Sequence, residues 1–147
     1  MLCFQCGTCT ASCPSGRMTA YKTRKLIRKA QLGLKDDIIN SPDLWMCTTC
    51  YACMERCPRG VEIVDIITIL RNNAVQAGIM SGEHRKVGQF LLANGATVPL
   101  NEKYEDVRAK LGLPRRPANT LGDKKALEDF QKVLKATGFD KLLEGGK

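Results

Sequence analysis

Eight cysteines carry the chemistry open to this sequence, and they stand in two runs of one spacing. CFQCGTCTASCP holds Cys3, Cys6, Cys9 and Cys13; CTTCYACMERCP holds Cys47, Cys50, Cys53 and Cys57. Both read C-x2-C-x2-C-x3-C-P, and the chain of 147 residues has no other cysteine. Thiols grouped this way can bind metal, exchange electrons as dithiols or close disulfides. The opening MLCFQC contains no secretory apolar region. No stretch approaches the roughly 18 apolar residues of a membrane span; the longest apolar-rich one, VEIVDIITIL at 61–70, carries two acids. A cytoplasmic setting is therefore expected. In a reducing cytosol, grouped cysteines read as ligands before they read as disulfides.

The spacing selects among metals. Structural zinc takes two separated pairs of ligands, often with a histidine. Here each run holds a third and fourth cysteine that zinc would leave over, and the only histidine, His84, falls outside both runs. A catalytic C-x-x-C dithiol sits in a strand-and-helix context, and no strand pattern flanks either run. Rieske ligation needs two histidines. The full run, closing on proline, is the signature of ferredoxins with two 4Fe-4S clusters, in which the fourth cysteine of each run ligates the other cluster. Carried over, Cys3, Cys6, Cys9 and Cys57 hold one cluster, and Cys47, Cys50, Cys53 and Cys13 hold the other. Aligned at an offset of 44, the runs also match Pro14 with Pro58 and Gly16 with Gly60. Small neighbours such as Gly7, Thr8 and Ala52 let backbone N–H groups approach sulfur and tune cluster potential. Plain turn chemistry explains the same residues.

The elements between the runs must position these thiols, and they read as helix. Thirty-three residues separate Cys13 from Cys47, where small ferredoxins use short strands. Met18 to Leu32 predicts a helix with Ala20, Thr23, Ile27 and Ala30 on one face, Leu26 beside them, and Gly33 as its stop. Ser41-Pro42-Asp43 predicts a capped short helix leading into Cys47. Val61 to Ala77 predicts a long helix buried on most sides, ending at Gly78. Further helices are expected over 81–95 (Val87, Phe90, Leu91 and Ala93 inward), 101–114 and 123–138 (Ala126, Leu127, Phe130, Val133 and Leu134 inward). PRRPAN at 114–119 reads as a linker and FDKLLEGGK as a frayed tail. The fold class is mainly α: an α-helical ferredoxin over residues 1–80, with a helical extension over 81–147 that docks on the core or on a partner subunit.

The formal charge is +8 and the pI near 9.2. Arg17, Lys22, Arg24, Lys25, Arg28 and Lys29 place six cations and no acid within thirteen residues. Eight thiolates and two oxidised cluster cores bring the loaded chain near +4. The basic helix thus reads as a counter-charge that raises cluster potential, as a surface that steers an acidic partner, or as a solvated face. Nucleic-acid binding is not expected, because no aromatic interleaving or recognised module accompanies the charge. A zinc-stabilised nucleic-acid module remains the reading from another class.

CGTCTASCPSGRMTAYKTRKLIRKAQLGL and LWMCTTCYACMERCPRGVEI resemble the C subunit of the heterodisulfide reductase of methanogenic archaea. The double cluster motif is shared with iron–sulfur subunits of other oxidoreductases, including quinone- and sulfite-linked ones; CPSGR, LWMCTTCY and CPRGVEI narrow it. Members of that family carry a segment before the first cysteine, so the resemblance implies that Met1 corresponds to an internal methionine of a longer protein. It further implies an electron relay with no catalytic residues of its own. In that family the relay takes electrons from the subunit that bears flavin and iron–sulfur clusters. It passes them to the catalytic subunit, which reduces the mixed disulfide of coenzyme M and coenzyme B. A hydrogenase or formate dehydrogenase module completes the implied assembly. The residues agree: all eight thiols serve as ligands, and no G-x-G-x-x-G nucleotide fingerprint appears.

Overall fold

The structure is a computed structural model that describes residues 2–98 and 101–144. Met1 and the last three residues of the expected tail lie outside the described residues. The described elements are helical, with no strand among them. They form two compact units, one running through Ser81 and one beginning at Gly82.

In the first unit, each cysteine run makes the same backbone. Helix α1 (Thr8–Ala11) follows Cys6, and its counterpart α5 (Ala52–Glu55) follows Cys50. These two short helices pack against each other, which draws the two runs together. The entry into each is left-handed: Gly7 has φ 92° and Tyr51 φ 63°, and two residues earlier Gln5 has φ 64° and Thr49 φ 52°. The equivalence at an offset of 44 therefore extends from the sequence into the dihedral angles. Helix α2 (Pro14–Met18) starts on Cys13 with proline at its first turn, where the missing N–H costs nothing.

The expected helix over Met18–Leu32 is shorter than its periodicity suggests. Helix α3 spans Thr23–Gln31, and the chain turns between Thr19 and Lys22. Thr19 causes the break: its hydroxyl donates to the Ser15 carbonyl at 2.8 Å and accepts from the Tyr21 N–H at 3.2 Å. That local competition with the helix ladder is typical of threonine. It turns the side chain of Tyr21 inward, while Ala20, expected on the inner face, is exposed. Thr23, Leu26 and Ile27 are buried as anticipated, and the helix stops before Gly33 at φ 70°.

Helix α4 (Lys35–Ile39) and a 3-10 turn over Pro42–Met46 complete the connection into Cys47. Ser41 occupies the N-cap but its side chain makes no capping bond, so proline at the first position does the work of starting the turn. Helix α6 (Ile63–Gln76) buries Ile63, Val64, Ile67 and Ala74. It is not enclosed on most sides: Ile69 is 59% exposed, so α6 has one inner face rather than a fully buried circumference. Leu44 and Ile67 have no exposure at all, and full burial of each is worth roughly 1.5–3 kcal/mol. The partly buried Cys3, Cys9, Cys13, Cys47 and Cys57 pack against this apolar core, and Cys53 belongs to it.

The second unit holds α7 (Gly82–Asn94), α8 (Glu102–Lys110), a 3-10 turn at Thr120–Gly122, α9 (Lys124–Ala136) and α10 (Phe139–Glu144). Asn101 caps α8 by accepting from the Tyr104 N–H, and Asp123 caps α9 by accepting from Lys125 and Ala126. Three expectations change here. The inner face of α7 is rotated, because Gly88 is its buried residue while Val87 and Ala93 are exposed. A Cβ on Gly88 would stand 2.6 Å from a Leu143 methyl, so glycine lets α10 approach α7 closely. The supposed frayed tail is therefore a docked helix as far as Glu144: Leu143 is 5% exposed, and its carbonyl accepts from Arg85 at 2.8 Å. PRRPAN is irregular as expected but tied down, with Arg115 and Arg116 paired to Glu105. Val133, expected inward on α9, is 59% exposed.

Candidate iron-sulfur site

The structure places Cys3, Cys6, Cys9 and Cys57 around one cavity, with Gln5, Gly7, Thr8 and Arg24 from the polar side and Ile27, Val61 and Ile63 from the core. Cys57 reaches the first run because α5 lies against α1. Donors are already aimed at these sulfurs. Gln5 Nε2 donates to Cys3 Sγ at 3.4 Å, the Val61 N–H donates to Cys57 Sγ at 3.3 Å, and Cys6 Sγ and Thr8 Oγ1 stand 3.3 Å apart. The Thr8 side chain and then its N–H favour the Cys6 thiolate and lower that thiol's pKa, whereas burial pushes the Cys9 thiol up. Hydrogen bonds to sulfur are one of the protein's levers on cluster potential. The backbone donors to the Cys57, Cys13 and Cys47 sulfurs are Val61, Gly16 and Thr49, whereas the sequence pointed to Gly7, Thr8 and Ala52 as the neighbours whose N–H groups approach sulfur.

Of the other thiols, Cys53 belongs to the same buried core as Tyr21, and Cys13 and Cys47 pack against that core. Burial pushes the Cys53 thiol up to about 11, and the nearby Cys47, Cys9 and Cys13 thiols add to that. The Gly16 N–H donates to Cys13 Sγ and the Thr49 N–H to Cys47 Sγ, each at 3.4 Å. Gly16 cannot carry a side chain, since a Cβ there would lie 2.8 Å from the Tyr21 carbonyl. Cys50 is exposed, on the loop between Cys47 and α5. Among the described residues, no three His, Cys, Asp or Glu side chains converge as ligands of one metal ion. Thiolates sharing a single zinc at about 2.3 Å must crowd together; the sulfurs of Cys3, Cys6, Cys9 and Cys57 line a cavity instead, which suits a polynuclear cluster.

Two residues absent from the sequence reading frame the second group. Arg71 of α6 donates from Nε to the Leu44 carbonyl at 2.9 Å and from its terminal nitrogen to the Cys47 carbonyl at 2.6 Å. Its guanidinium lies over the Trp45 ring, 5.8 Å from the centroid. It clamps the turn that delivers Cys47 and brings a positive charge beside the thiols. Tyr21, the other, is 1% exposed. Neither stands out in sequence: an arginine 14 residues after the last cysteine and a tyrosine inside a basic stretch carry no motif.

Beside the first group opens a cleft of about 860 Å³ lined by Cys3, Phe4 and five cations: Lys22, Arg24, Lys25, Arg28 and Lys29. None of the five joins an ion pair among the described residues. Lys22, Arg24 and Lys29 donate instead to the carbonyls of Gly16, Gln5 and Asp37, and Arg28 to the Gln31 side chain.

Helical elements that fold two C-x2-C-x2-C-x3-C-P runs together define an α-helical ferredoxin with two 4Fe-4S clusters. A family model described as "4Fe-4S dicluster domain" matches residues 2–61. Over 141 residues and 96% of its length, the chain is 55% identical to the C subunit of the H(2):CoB-CoM heterodisulfide,ferredoxin reductase of Methanothermobacter marburgensis, covering 76% of that protein. It is 52% identical to the corresponding iron-sulfur subunit of the CoB-CoM heterodisulfide reductase of Methanopyrus kandleri, covering 73% of it. Against the C subunit of the ferredoxin:CoB-CoM heterodisulfide reductase of Methanosarcina mazei it is 45% identical and covers 86%. The chain belongs to the family of heterodisulfide reductase C subunits. It is an iron–sulfur electron-transfer component of an oxidoreductase complex. No described helix is long and apolar enough to cross a membrane.

Proposed function

We propose that this chain relays electrons from a flavin-bearing subunit to the catalytic subunit that reduces the CoM-S-S-CoB heterodisulfide, in the cytoplasm. One observation carries the reading: Cys57 of the second run shares a cavity with Cys3, Cys6 and Cys9 of the first. That grouping supports the crossed ligand sets, Cys3, Cys6, Cys9 and Cys57 for one cluster and Cys47, Cys50, Cys53 and Cys13 for the other. Bound there, the clusters take up and release single electrons. The chain's own residues hold them side by side through the α1–α5 contact, exclude water from Cys53, and supply donors to sulfur. No side chain is assigned a proton-transfer or nucleophilic role; the chain binds and positions, and the reacting bond belongs to a partner.

The cationic cleft supports docking of an acid-rich partner surface at the first cluster. Four thiolates and an oxidised core there carry about −2, which leaves the five cations in excess. The helices of 81–147 serve as the extension that docks on the core or on a partner subunit. Exposed Leu111, Val98 and Val133 support the partner.

The test is anaerobic assembly of the complex from separately prepared components. Heterodisulfide-dependent oxidation of the flavin-bearing subunit must require this chain with both clusters loaded. Assembly must weaken with added salt, and less so when Lys25 and Arg28 are both changed to Glu. Full activity of the flavin-bearing and catalytic components without this chain overturns the relay. A complex that retains haem or a quinone-binding membrane partner favours a different oxidoreductase.

A further inference from the structure

Tyr21 is placed with unusual care for a residue outside the ligand runs. Its N–H is held by the Thr19 hydroxyl, and its carbonyl leaves room at Gly16 for a hydrogen atom only. The ring is 1% exposed, among the largest fully buried side chains. Its hydroxyl is the one buried side-chain oxygen or nitrogen among the described residues that has no hydrogen-bond partner. The Thr23 hydroxyl lies near without completing a bond. A buried hydroxyl left unpaired pays its desolvation in full, and phenylalanine would fill the same apolar space without that cost. The thiols that bear on the phenol are Cys47, Cys13 and Cys53. These are three of the four residues assigned to the second cluster, and the Tyr21 carbonyl abuts Gly16, whose N–H donates to Cys13 Sγ.

We infer that the Tyr21 hydroxyl donates a hydrogen bond to a sulfur of the cluster held by Cys47, Cys50, Cys53 and Cys13, making that cluster easier to reduce. The inference rests on the crossed ligand assignment. A phenol keeps its proton at neutral pH, and burial raises its pKa further, so the proton stays on oxygen. A donor to sulfur stabilises the extra electron of the reduced cluster and so raises its potential. The first cavity contains no buried phenol; its sulfurs take their bonds from Gln5, Thr8 and the Val61 backbone. Tyr21 is therefore a positioning and tuning residue that distinguishes one cluster from the other.

The experiment is an EPR-monitored redox titration of the intact complex carrying Tyr21→Phe. Electron–nuclear double resonance in water and in deuterium oxide accompanies it. The expected result is a reduction equilibrium about tenfold less favourable for one cluster, 59 mV for a one-electron couple. The other midpoint stays where it was, and one strongly coupled exchangeable proton disappears. Unchanged midpoints with no proton lost overturn the inference, because the hydroxyl then bonds to Thr23 or to water. A shift confined to the cluster of Cys3, Cys6 and Cys9 also overturns it. Cys13→Ser identifies which signal belongs to the second run. If Cys13→Ser removes the Cys3, Cys6 and Cys9 signal, the ligand assignment has failed rather than the hydrogen bond. Should Tyr21→Phe not retain its clusters, the unmodified complex decides: no exchangeable proton at the second cluster rules the bond out.

Discussion

The two cysteine runs share a backbone and differ in everything around it. Gln5 and Thr49, Gly7 and Tyr51, α1 and α5 are equivalent at an offset of 44. Yet the first run opens onto a cleft of five cations, whereas the second lies beneath Tyr21 and under the Arg71 clamp, with Cys53 in the core. The comparison teaches that ligand geometry comes from local spacing and potential from the surroundings. Two clusters in near-identical loops can then differ in driving force, one beside a cationic cleft and one with Cys53 in the apolar core and Cys50 exposed.

The comparison breaks most visibly at the crossed ligands. Cys13→Ser is expected to remove the cluster of the second run and leave that of the first, taking iron and acid-labile sulfide to about half, with one EPR signal remaining. Cys57→Ser should do the reverse. If each variant loses the cluster of its own run, the runs are independent cages.

Arg71→Ala tests the clamp, which the first run lacks. Losing two bonds from a cation to backbone carbonyls should cost about 2–3 kcal/mol in anaerobic denaturation of the loaded protein. It should also lower the midpoint of the second cluster alone, since a nearby positive charge goes with it.

Gly16 and Gly60 match in the repeat but differ in space. At Gly16 an added methyl meets the Tyr21 carbonyl at 2.8 Å, while at Gly60 nothing lies within 4 Å and only the φ of 60° opposes it. Gly16→Ala should therefore cost roughly 1–3 kcal/mol and loosen the bond to Cys13. Gly60→Ala should cost about 1 kcal/mol. Equal effects in thermal melts would show that the two runs sit in equivalent surroundings.

The smallest effect concerns the left-handed entry. Tyr51 adopts φ 63° where the first run uses Gly7, and a bulky residue there stores roughly 1–3 kcal/mol. Gly7→Ala should destabilise by about 1 kcal/mol. Tyr51→Gly should come out near zero, because relief of strain is offset by the added freedom of the unfolded chain. A large loss at Tyr51→Gly would reveal that the ring is packed more tightly than its 50% exposure indicates.

What was legible in the sequence follows from locality. A cysteine spacing is a property of a dozen residues, so it announced the cluster chemistry, and the offset of 44 announced a repeated backbone. Stops such as Gly33 and Gly78 were equally readable because each satisfies groups within one turn. Periodicity misled where a side chain competed with the helix ladder, as Thr19 does before α3. It misled again where a missing side chain carried the contact, as Gly88 does beneath Leu143. An apolar count cannot see that glycine is an inner face.

By itself, then, the amino-acid order determined the ligand residues on offer, their grouping into two equivalent loops and the helical character of what joins them, because each depends on neighbours close along the chain. Only the tertiary structure decided that Arg71 grips the carbonyls ahead of the second run and that a tyrosine from a basic stretch turns into the core; the grouping of Cys57 with the first run was already expected from the motif. The Arg71 contacts join residues 24 and 27 positions apart. Such distances are set by how the α1–α5 and α6 contacts fold the chain back on itself, and no local pattern encodes them.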